Sequence, residues 1–345
     1  RMSRGLGDVY KRQDMEYNYV IFGSDWDLYK QSYSDIYNQD NVRYIAGHVD
    51  NKKGLEKMLC KLHFSAALYN HINVPGKSFW NSSYFKDDFQ TKRPLCFIFN
   101  GGWLEFDNYG LFDYLRKQHP EAKFVLFLQD LINKIKRGNR WLQVDVAKVK
   151  QIFDLVLSFD QSNCQTYGFV YHPLVFSSYH GIINNTIEDS DVYFLGKAKN
   201  RLPEIISAYE RLCSFGLKCD FHLVGVEEKN QVHKDNICYI SGMDYQTNLQ
   251  HILHTKCLLE VMQQNGTGYT QRMCEAVALD KKIITNNSKI NEAPFYNDKF
   301  ILKYSEPSEI TKDFCDAIKR KEVIDYHYKE NFSPNELLAF INEKL

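Results

Sequence analysis

The chain has 345 residues, more than one hydrophobic core usually supports, so we expect two domains of about 150 residues each. Its 43 Lys and Arg residues balance 43 Asp and Glu residues, which excludes a global field that would attract nucleic acid. Nine cysteines, an odd number without a C-x-x-C pair, indicate reduced thiols in a cytoplasmic protein.

The first residues, 1–14, show no hydrophobic period, and the string G-D-V-Y-K-R-Q resembles translated adapter sequence. We expect this segment to be a non-native or disordered leader and the natural start to be Met15. The longest apolar runs, such as 124–128, are far shorter than the roughly 20 residues that span a bilayer. Contact with a membrane is therefore expected to be peripheral at most.

Strand-like runs alternate with helical patterns through the N-terminal half, which predicts a mostly parallel sheet. The strands are predicted at 19–22, 42–45, 95–99, 124–128 and 155–159, and the helices at 54–69, 107–118 and 145–153. A polar segment at 179–190, rich in Asn and Ser, follows and is typical of a linker. We therefore predict an N-terminal Rossmann-like domain over 15–180.

A second series of the same kind follows the linker. Its strands are predicted at 192–195, 220–224, 237–240, 257–262 and 282–285, and its helices begin near Pro203, Tyr245 and Thr270. The fold class is thus α/β, with two Rossmann-like domains facing a cleft. The C-terminal domain is predicted over 190–305, and a helical tail, 306–345, is expected to pack back on the domains.

The segment 260–287 joins a strand, a glycine-bearing loop, a helix and a second strand. Such a loop, with Gly266 and Gly268, lies at the carboxyl end of a sheet, where helix amides favour an anion. Arg272 can hold a diphosphate through two parallel hydrogen bonds, and Glu275 can accept from two ribose hydroxyls. The alternative is an ordinary elbow in which Arg272 and Glu275 are solvated and paired to each other.

A basic loop follows the first strand of this second series. The strand ends in Gly196, and the next residues include Lys197, Lys199 and Arg201. Cations at this place in a Rossmann domain could reach the same diphosphate, and Arg201 is preferred because its guanidinium can bind in a bidentate manner. The alternative is a solvated charged turn.

The strings D-V-Y-F-L-G-K-A-K-N-R-L-P-E-I-I, F-H-L-V-G, Y-Q-T-N-L and G-x-T-x-R-x-x-E-A, with K-K-I-I-T-N-N, resemble the C-terminal half of GT-B glycosyltransferases. The group that they resemble most is the bacterial lipopolysaccharide or capsule biosynthesis proteins. The resemblance covers 191–287, and the N-terminal half matches only in its alternating pattern. It implies that the C-terminal domain binds a nucleotide-sugar and the N-terminal domain the acceptor.

The resemblance also implies roles for single residues. Glu275 would hold the ribose, the diphosphate would lie among Gly268, Thr270 and Arg272, and the base would be bordered by Asp244, Tyr245 and Asn248. Many GT-B enzymes carry two glutamates eight residues apart, but here Thr267 stands eight residues before Glu275. Sugar recognition is therefore left open among Gln263, Gln264 and Asn265.

A D-x-D string, Asp25-Trp26-Asp27, follows the first strand and mimics the cation-binding signature of GT-A transferases. Two such carboxylates can bind Mg²⁺ or Mn²⁺. Because the nucleotide features lie in the other half of the chain, we prefer a polar cleft loop. No metal and no cofactor are expected beyond the nucleoside-diphosphate sugar as donor substrate.

Two aspartates, Asp130 and Asp160, follow N-terminal strands and are candidates for the general base that an inverting transferase requires. The Gly101-Gly102 loop, after another strand, would let a ligand approach the backbone. Arg272 is the third catalytic candidate, because it would stabilise charge on the leaving diphosphate. An aspartate at such a position is more often an ordinary cap or turn residue.

These patterns predict a metal-independent glycosyltransferase that acts on a cell-surface glycan or a lipid-linked acceptor, in the cytoplasm or at the inner face of the cell membrane. Nucleic acid is not expected as a partner. Two alternatives stay open. A nucleotide-sugar epimerase can share the double-Rossmann design, and a non-catalytic nucleotide-sugar or glycan-binding protein would keep Glu275 and the glycines.

Overall fold

The computed structural model describes residues 17–47, 52–65, 74–132, 136–137, 140–141, 144–262 and 268–345. The expected leader and the loop 263–267, with Gly266, lie outside the described residues.

The chain divides into two compact units: Arg1–His172 with Pro334–Leu345 form unit 1, and Pro173–Ser333 form unit 2. The sequence placed the boundary later, at 179–190. No helix among the described residues has the length and apolar character needed to cross a bilayer.

Unit 1 contains a six-stranded sheet in the order β2-β1-β3-β4-β7-β8, and all neighbouring strands are parallel. Its strands are β1 (Asn18–Phe22), β2 (Val42–Ile45), β3 (Leu95–Asn100), β4 (Lys123–Leu128), β7 (Leu155–Ser158) and β8 (Val170–Tyr171). A short antiparallel hairpin pairs β5 (Lys136–Arg137) with β6 (Arg140–Trp141). The predicted parallel sheet is confirmed.

The central strands of unit 1 are near-continuous apolar runs, as expected for strands that are covered on both faces. Every residue of β1 is buried. Phe99 on β3 stacks on Phe22 with 4.5 Å between ring centroids, and Phe112 meets it edge-on at 5.0 Å. Aromatic packing of this kind fixes the helices on the sheet and places the unit's core there.

The helices of unit 1 in the described ranges are α1 (Asp27–Ser32), α2 (Gly54–His63), α3 (Leu111–Gln118), α4 (Val146–Ile152), α5 (Gln161–Tyr167) and, from the C-terminal tail, α10 (Pro334–Lys344). Two predictions need correction. The helix predicted from residue 107 begins at Leu111, because Gly110 adopts φ 68° and ends a 3-10 helix, Gly101–Tyr109. The helix predicted over 54–69 ends at His63.

Unit 2 repeats the design with the strand order β11-β10-β9-β12-β13-β14, again parallel throughout. Its strands are β9 (Ser190–Lys197), β10 (Cys219–Val224), β11 (Ile237–Ile240), β12 (Thr255–Glu260), β13 (Lys282–Thr285) and β14 (Ile301–Lys303). Its helices are α6 (Leu202–Ser214), α7 (Tyr245–Leu253), α8 (Gln271–Ala278) and α9 (Lys312–Lys319). The fold class predicted from the sequence, two Rossmann-like domains with a C-terminal helix, is confirmed.

The two helices of the tail belong to different units. Helix α9 packs Phe314, Cys315 and Ile318 into the core of unit 2. Helix α10 belongs to unit 1, where Leu338 is fully buried and its carbonyl accepts a hydrogen bond from the Tyr19 hydroxyl at 3.3 Å. Unit 1 is therefore completed by residues far from it in sequence.

We predict that Leu338→Ala destabilises unit 1 by about 2–5 kcal/mol, because it leaves a cavity under β1. All four tryptophans lie in unit 1, so urea unfolding followed by tryptophan fluorescence reports this unit alone. Glu343→Ala, at an exposed position of the same helix, is the matched control and should leave the midpoint unchanged. Equal midpoints for both variants would contradict the role of α10.

Candidate functional site

Glu275 lies on the buried face of α8, and only 4% of its surface is exposed. The helix begins after Thr270, whose hydroxyl caps it by accepting from the Met273 amide at 3.4 Å. Burial raises the pKa of Glu275 to about 7, although Arg272 and the Tyr245 hydroxyl favour its charged form. Tyr245 donates to Oε1 of Glu275 at 2.8 Å. This carboxyl group therefore changes charge near neutral pH.

Two guanidinium groups lie at the carboxyl ends of β9 and β12. Arg272 donates to the Leu195 carbonyl, and its guanidinium carbon lies 4.9 Å from the centroid of the Phe194 ring. Arg201 donates to the carbonyl oxygens of Val261 and Lys197. Burial lowers the pKa of Arg201, and the positive charge of Arg272 lowers it further. Two like charges are thus held close together.

The alternative in which Arg272 and Glu275 are solvated and paired to each other does not match this geometry. Glu275 is buried and hydrogen-bonded to Tyr245, while Arg272 hydrogen-bonds to a main-chain carbonyl. Gly196 and Lys197 close β9 beside them, and Gly268 precedes the α8 cap. The structure therefore gathers these predicted residues at one edge of the sheet, and their binding roles stay predictions.

Glu260 has a structural role that was not predicted from the sequence. It ends β12 with 2% of its surface exposed, and burial raises its pKa. Its Oε1 accepts from the Thr270 hydroxyl and its Oε2 from the Thr285 hydroxyl at 2.5 Å. Glu260 thereby ties the end of β12 to the cap of α8 and the end of β13. A carboxylate that ends an apolar strand was the only sequence signal of this role.

The three residues implied to border the base lie on and before α7. Asp244 caps this helix by accepting from the Thr247 amide at 2.9 Å, and this bond helps to hold the pKa of Asp244 below its usual value. Asn248 is buried and accepts from the Tyr193 hydroxyl at 3.0 Å. Tyr245 is directed to Glu275. The helix is thus oriented by the same side chains that were assigned to ligand binding.

A second polar cluster fixes α7 to the sheet. Asp220 accepts from Nε2 of His222 at 2.7 Å and from Nδ1 of His251 at 2.6 Å, and the Tyr193 ring stacks on His251. Burial alone would raise the pKa of Asp220, but the hydrogen bonds from both histidines outweigh it and hold the pKa well below its usual range. Among the described residues, these three side chains offer ligand atoms that lie close enough together to hold a cation. Their mutual hydrogen bonds explain the cluster without one.

Unit 1 contains a cavity of about 290 Å³ at the carboxyl edge of its sheet. The lining includes four residues that the sequence placed at carboxyl ends of strands, namely Asp25, Gly101, Gly102 and Asp130. Asn100 shapes one wall by accepting from the Gly102 amide at 3.1 Å. The structure therefore brings Asp130 and the glycine loop together.

Two polar groups face this cavity from the end of β4. Asp130 is exposed, and its charge adds to the effect of burial in raising the pKa of Tyr29. Gln129 donates from its amide nitrogen to the Tyr33 hydroxyl at 3.3 Å. Within the described residues, the buried Oε1 of Gln129 has no hydrogen-bond donor.

Asp160 does not line the cavity. It is fully buried and caps α5, accepting from the Asn163 amide at 3.0 Å and from the Ser162 hydroxyl. Of the D-x-D carboxylates, Asp25 lines the cavity, whereas Asp27 begins α1 and lies 3.8 Å from the Lys30 amine. The structure thus gives Asp160 a capping role, and Asp130 becomes the better-placed candidate for a general base.

No protein-family model and no curated protein matches the chain. Among solved structures, an α-glucosyltransferase bound to UDP and a 13-mer DNA has a TM-score of 0.54 at 9% identity and covers 94% of this chain and 98% of that one. A lipopolysaccharide outer core galactosyltransferase reaches 0.45 at 13% identity, covering 95% and 99%. A Listeria monocytogenes protein described as a UDP-N-acetylglucosamine 2-epimerase reaches 0.46 at 11%, covering 94% and 95%.

The similarity to the α-glucosyltransferase shows that the chain has the fold of GT-B glycosyltransferases. The resemblance seen in the sequence is therefore confirmed at the level of fold.

We predict that Gly23→Ala disturbs the cavity of unit 1. A Cβ atom at Gly23 would lie 2.2 Å from the Tyr44 hydroxyl, while the Gly23 carbonyl accepts from the Trp103 indole at 2.8 Å. Overpacking of this kind costs about 1–3 kcal/mol of unfolding free energy. Tryptophan fluorescence during urea unfolding measures this loss of stability. Glu343→Ala, at an exposed position of the same unit, is the control and should leave the midpoint unchanged. A Gly23→Ala protein with wild-type stability would show that the ring moves freely.

Proposed function

We propose that the protein is a glycosyltransferase that moves a sugar from a nucleoside-diphosphate sugar to a cell-surface glycan or lipid-linked acceptor, as in lipopolysaccharide or capsule biosynthesis. The observation that carries this proposal is the pair of guanidinium groups, Arg201 and Arg272, beside the buried Glu275. Both guanidinium groups hydrogen-bond to carbonyl oxygens. Their two positive charges lie close together near the start of α8. A diphosphate would relieve their mutual repulsion.

The same groups would serve the chemistry of transfer. As the bond between sugar and diphosphate breaks, negative charge grows on the diphosphate, and Arg272 with the amides near Gly268 would stabilise it. Glu275 would accept hydrogen bonds from the ribose hydroxyls in place of the one it receives from Tyr245. Because cationic side chains neutralise the leaving group, the proposed reaction requires no metal.

The cavity of unit 1 is proposed to hold the acceptor. Asp130 lines this cavity, where it would remove a proton from an acceptor hydroxyl. A sugar or a sugar-bearing headgroup offers several such hydroxyls. The GT-B fold supports a nucleotide ligand in general, and UDP is a ligand of the α-glucosyltransferase named above. DNA is also present in that structure, but the balanced charge of this chain argues against nucleic acid as its partner.

The direct test mixes the purified protein with labelled donor sugars in EDTA, with and without a lipid-linked acceptor. A transferase labels the acceptor, an epimerase converts the donor without an acceptor, and a binding protein retains the donor unchanged. Labelled acceptor in EDTA supports the proposal. Donor conversion that ignores the acceptor, or activity that returns only with a divalent cation, contradicts it.

Donor affinity is predicted to rise with pH, because ribose hydroxyls donate to the ionised form of Glu275. Its pKa of about 7 means that the ionised fraction grows from about one tenth at pH 6 to about nine tenths at pH 8, so affinity should increase about tenfold. Calorimetric titration of an intact nucleoside-diphosphate sugar measures this, since its diphosphate does not titrate in the range. Glu275→Gln should bind more weakly at pH 8 and without pH dependence.

The control for this titration is Glu343→Gln, at an exposed position on α10. It should reproduce the wild-type affinity at each pH. A Glu275→Gln protein that keeps both the affinity and the pH dependence of the wild type would remove Glu275 from the donor site.

Asp130→Asn is predicted to lower turnover by about 10² to 10⁴, the usual contribution of a general base, while leaving donor affinity intact. Asp113→Asn, an exposed carboxylate on α3 that does not line the cavity, is the matched control. Asp160→Asn should keep most turnover, because asparagine also caps a helix. Loss of donor binding in Asp130→Asn, or full turnover, would contradict the assignment of the acceptor to unit 1.

A further inference from the structure

Helix α2 (Gly54–His63) presents an apolar stripe to solvent. Leu55, Met58, Leu59 and Leu62 recur at i, i+3, i+4 and i+7, and their exposed fractions are 66%, 52%, 49% and 52%. A stripe with this spacing normally faces the core of a globular protein. Contiguous exposed apolar patches on soluble proteins usually mark an interaction surface.

The opposite face of α2 is anchored, so the stripe is fixed outward. Cys60 is fully buried, and Phe64, directly after the helix, stacks on Phe106 with 5.4 Å between ring centroids. At the end of the helix, His63 accepts through Nδ1 from the Trp80 indole at 2.9 Å. Rotating the stripe inward would expose Cys60 and Phe64 and break these contacts.

Phe79 extends the exposed surface at the C-terminal end of α2. It is 78% exposed, and its ring meets that of Trp80, the residue that donates to His63, at 5.4 Å. An exposed aromatic ring beside an aliphatic stripe is a common feature of helices that lie in a membrane interface.

The charges along α2 favour an anionic partner. Lys53, Lys57 and Lys61 recur every four residues and form a row beside the apolar stripe, whereas Glu56 is the only carboxylate between positions 53 and 63. A second copy of this chain would bring the same lysine row to the contact and meet it with like charge. An anionic phospholipid surface matches both the row and the stripe.

We propose that α2 and Phe79 form a docking surface for an anionic phospholipid membrane, with the apolar stripe in the interface and the lysines at the headgroups. This inference goes beyond the proposed transfer reaction and does not depend on it. Helix α2 follows β2, and Gly47, just after β2, lines the cavity of unit 1. Because parallel strands share one carboxyl edge, docking would hold the cavity edge near lipid-linked molecules.

The test is flotation of the full-length protein with phospholipid vesicles. The wild type should float with phosphatidylcholine vesicles that contain phosphatidylglycerol, float far less with pure phosphatidylcholine, and be released by raised salt. Met58→Glu/Leu62→Glu should lower the partition coefficient at least about tenfold, since both changes place carboxylates in the interface. Lys57→Ala/Lys61→Ala should lower it about fivefold for each lysine.

Val323→Glu is the matched control, because Val323 is 90% exposed in unit 2 and the change removes the same apolar character. All substitutions are at solvent-accessible positions, and unchanged urea midpoints will show that the variants fold. The proposal is overturned if the wild type ignores anionic vesicles, or if Met58→Glu/Leu62→Glu floats as well as Val323→Glu. It is equally overturned if the stripe variant only converts a dimer to a monomer. Donor titration on the same samples separates this outcome from failure of the proposed transfer function.

Discussion

The parallel arrangement of both sheets is the constraint on which the rest of the structure depends. Parallel strands need helical crossovers, and these cover both faces of a sheet, so the central strands are mostly apolar and the edges carry most of the chemistry. Every loop that follows a strand in one sheet emerges at the same carboxyl edge. Glu260 and Arg272 therefore lie close enough in unit 2 for the charge of Arg272 to favour the ionised form of Glu260, although eleven residues lie between them in sequence. Asp25 and Asp130 likewise share one cavity in unit 1 although they follow different strands.

Burial decides which charged groups at these edges are already satisfied. Glu260 is held by two threonine hydroxyls and Glu275 by a tyrosine hydroxyl, so neither buried carboxyl group lacks a donor. Arg201 and Arg272 instead hydrogen-bond to carbonyl oxygens. Burial and the charge of Arg272 lower the pKa of Arg201, and the charge of Glu204 acts in the opposite direction. An anion bound here would gain from charges that the fold has already brought together.

The sequence was most informative where a signal is local. Strands β2, β11 and β13 have the predicted bounds, because each is a short apolar run, and Asp244 and Thr270 cap the helices predicted to follow them. Prediction from the sequence failed where tertiary contacts decide the position of a residue. An aspartate that follows a strand produces the same sequence pattern whether it lines a cavity, as Asp130 does, or caps a helix, as Asp160 does. The chain enters unit 2 at Pro173, without the change in composition that marks a linker.

Helix α2 shows that the sequence pattern of a surface helix is ambiguous in the same way. Its sequence offers two apolar faces: the four-residue aliphatic stripe, and the smaller face of Cys60 that Phe64 continues. Hydrophobicity alone favours burying the stripe, but Phe64 is the residue that finds aromatic partners in unit 1. The balanced net charge excludes a long-range attraction of the whole molecule to an anionic membrane. Salt screening confines the field of a charge to roughly 8–10 Å. Three lysines in a row on one exposed helix therefore act on a lipid surface that they touch, and the charge of distant parts of the chain does not change this.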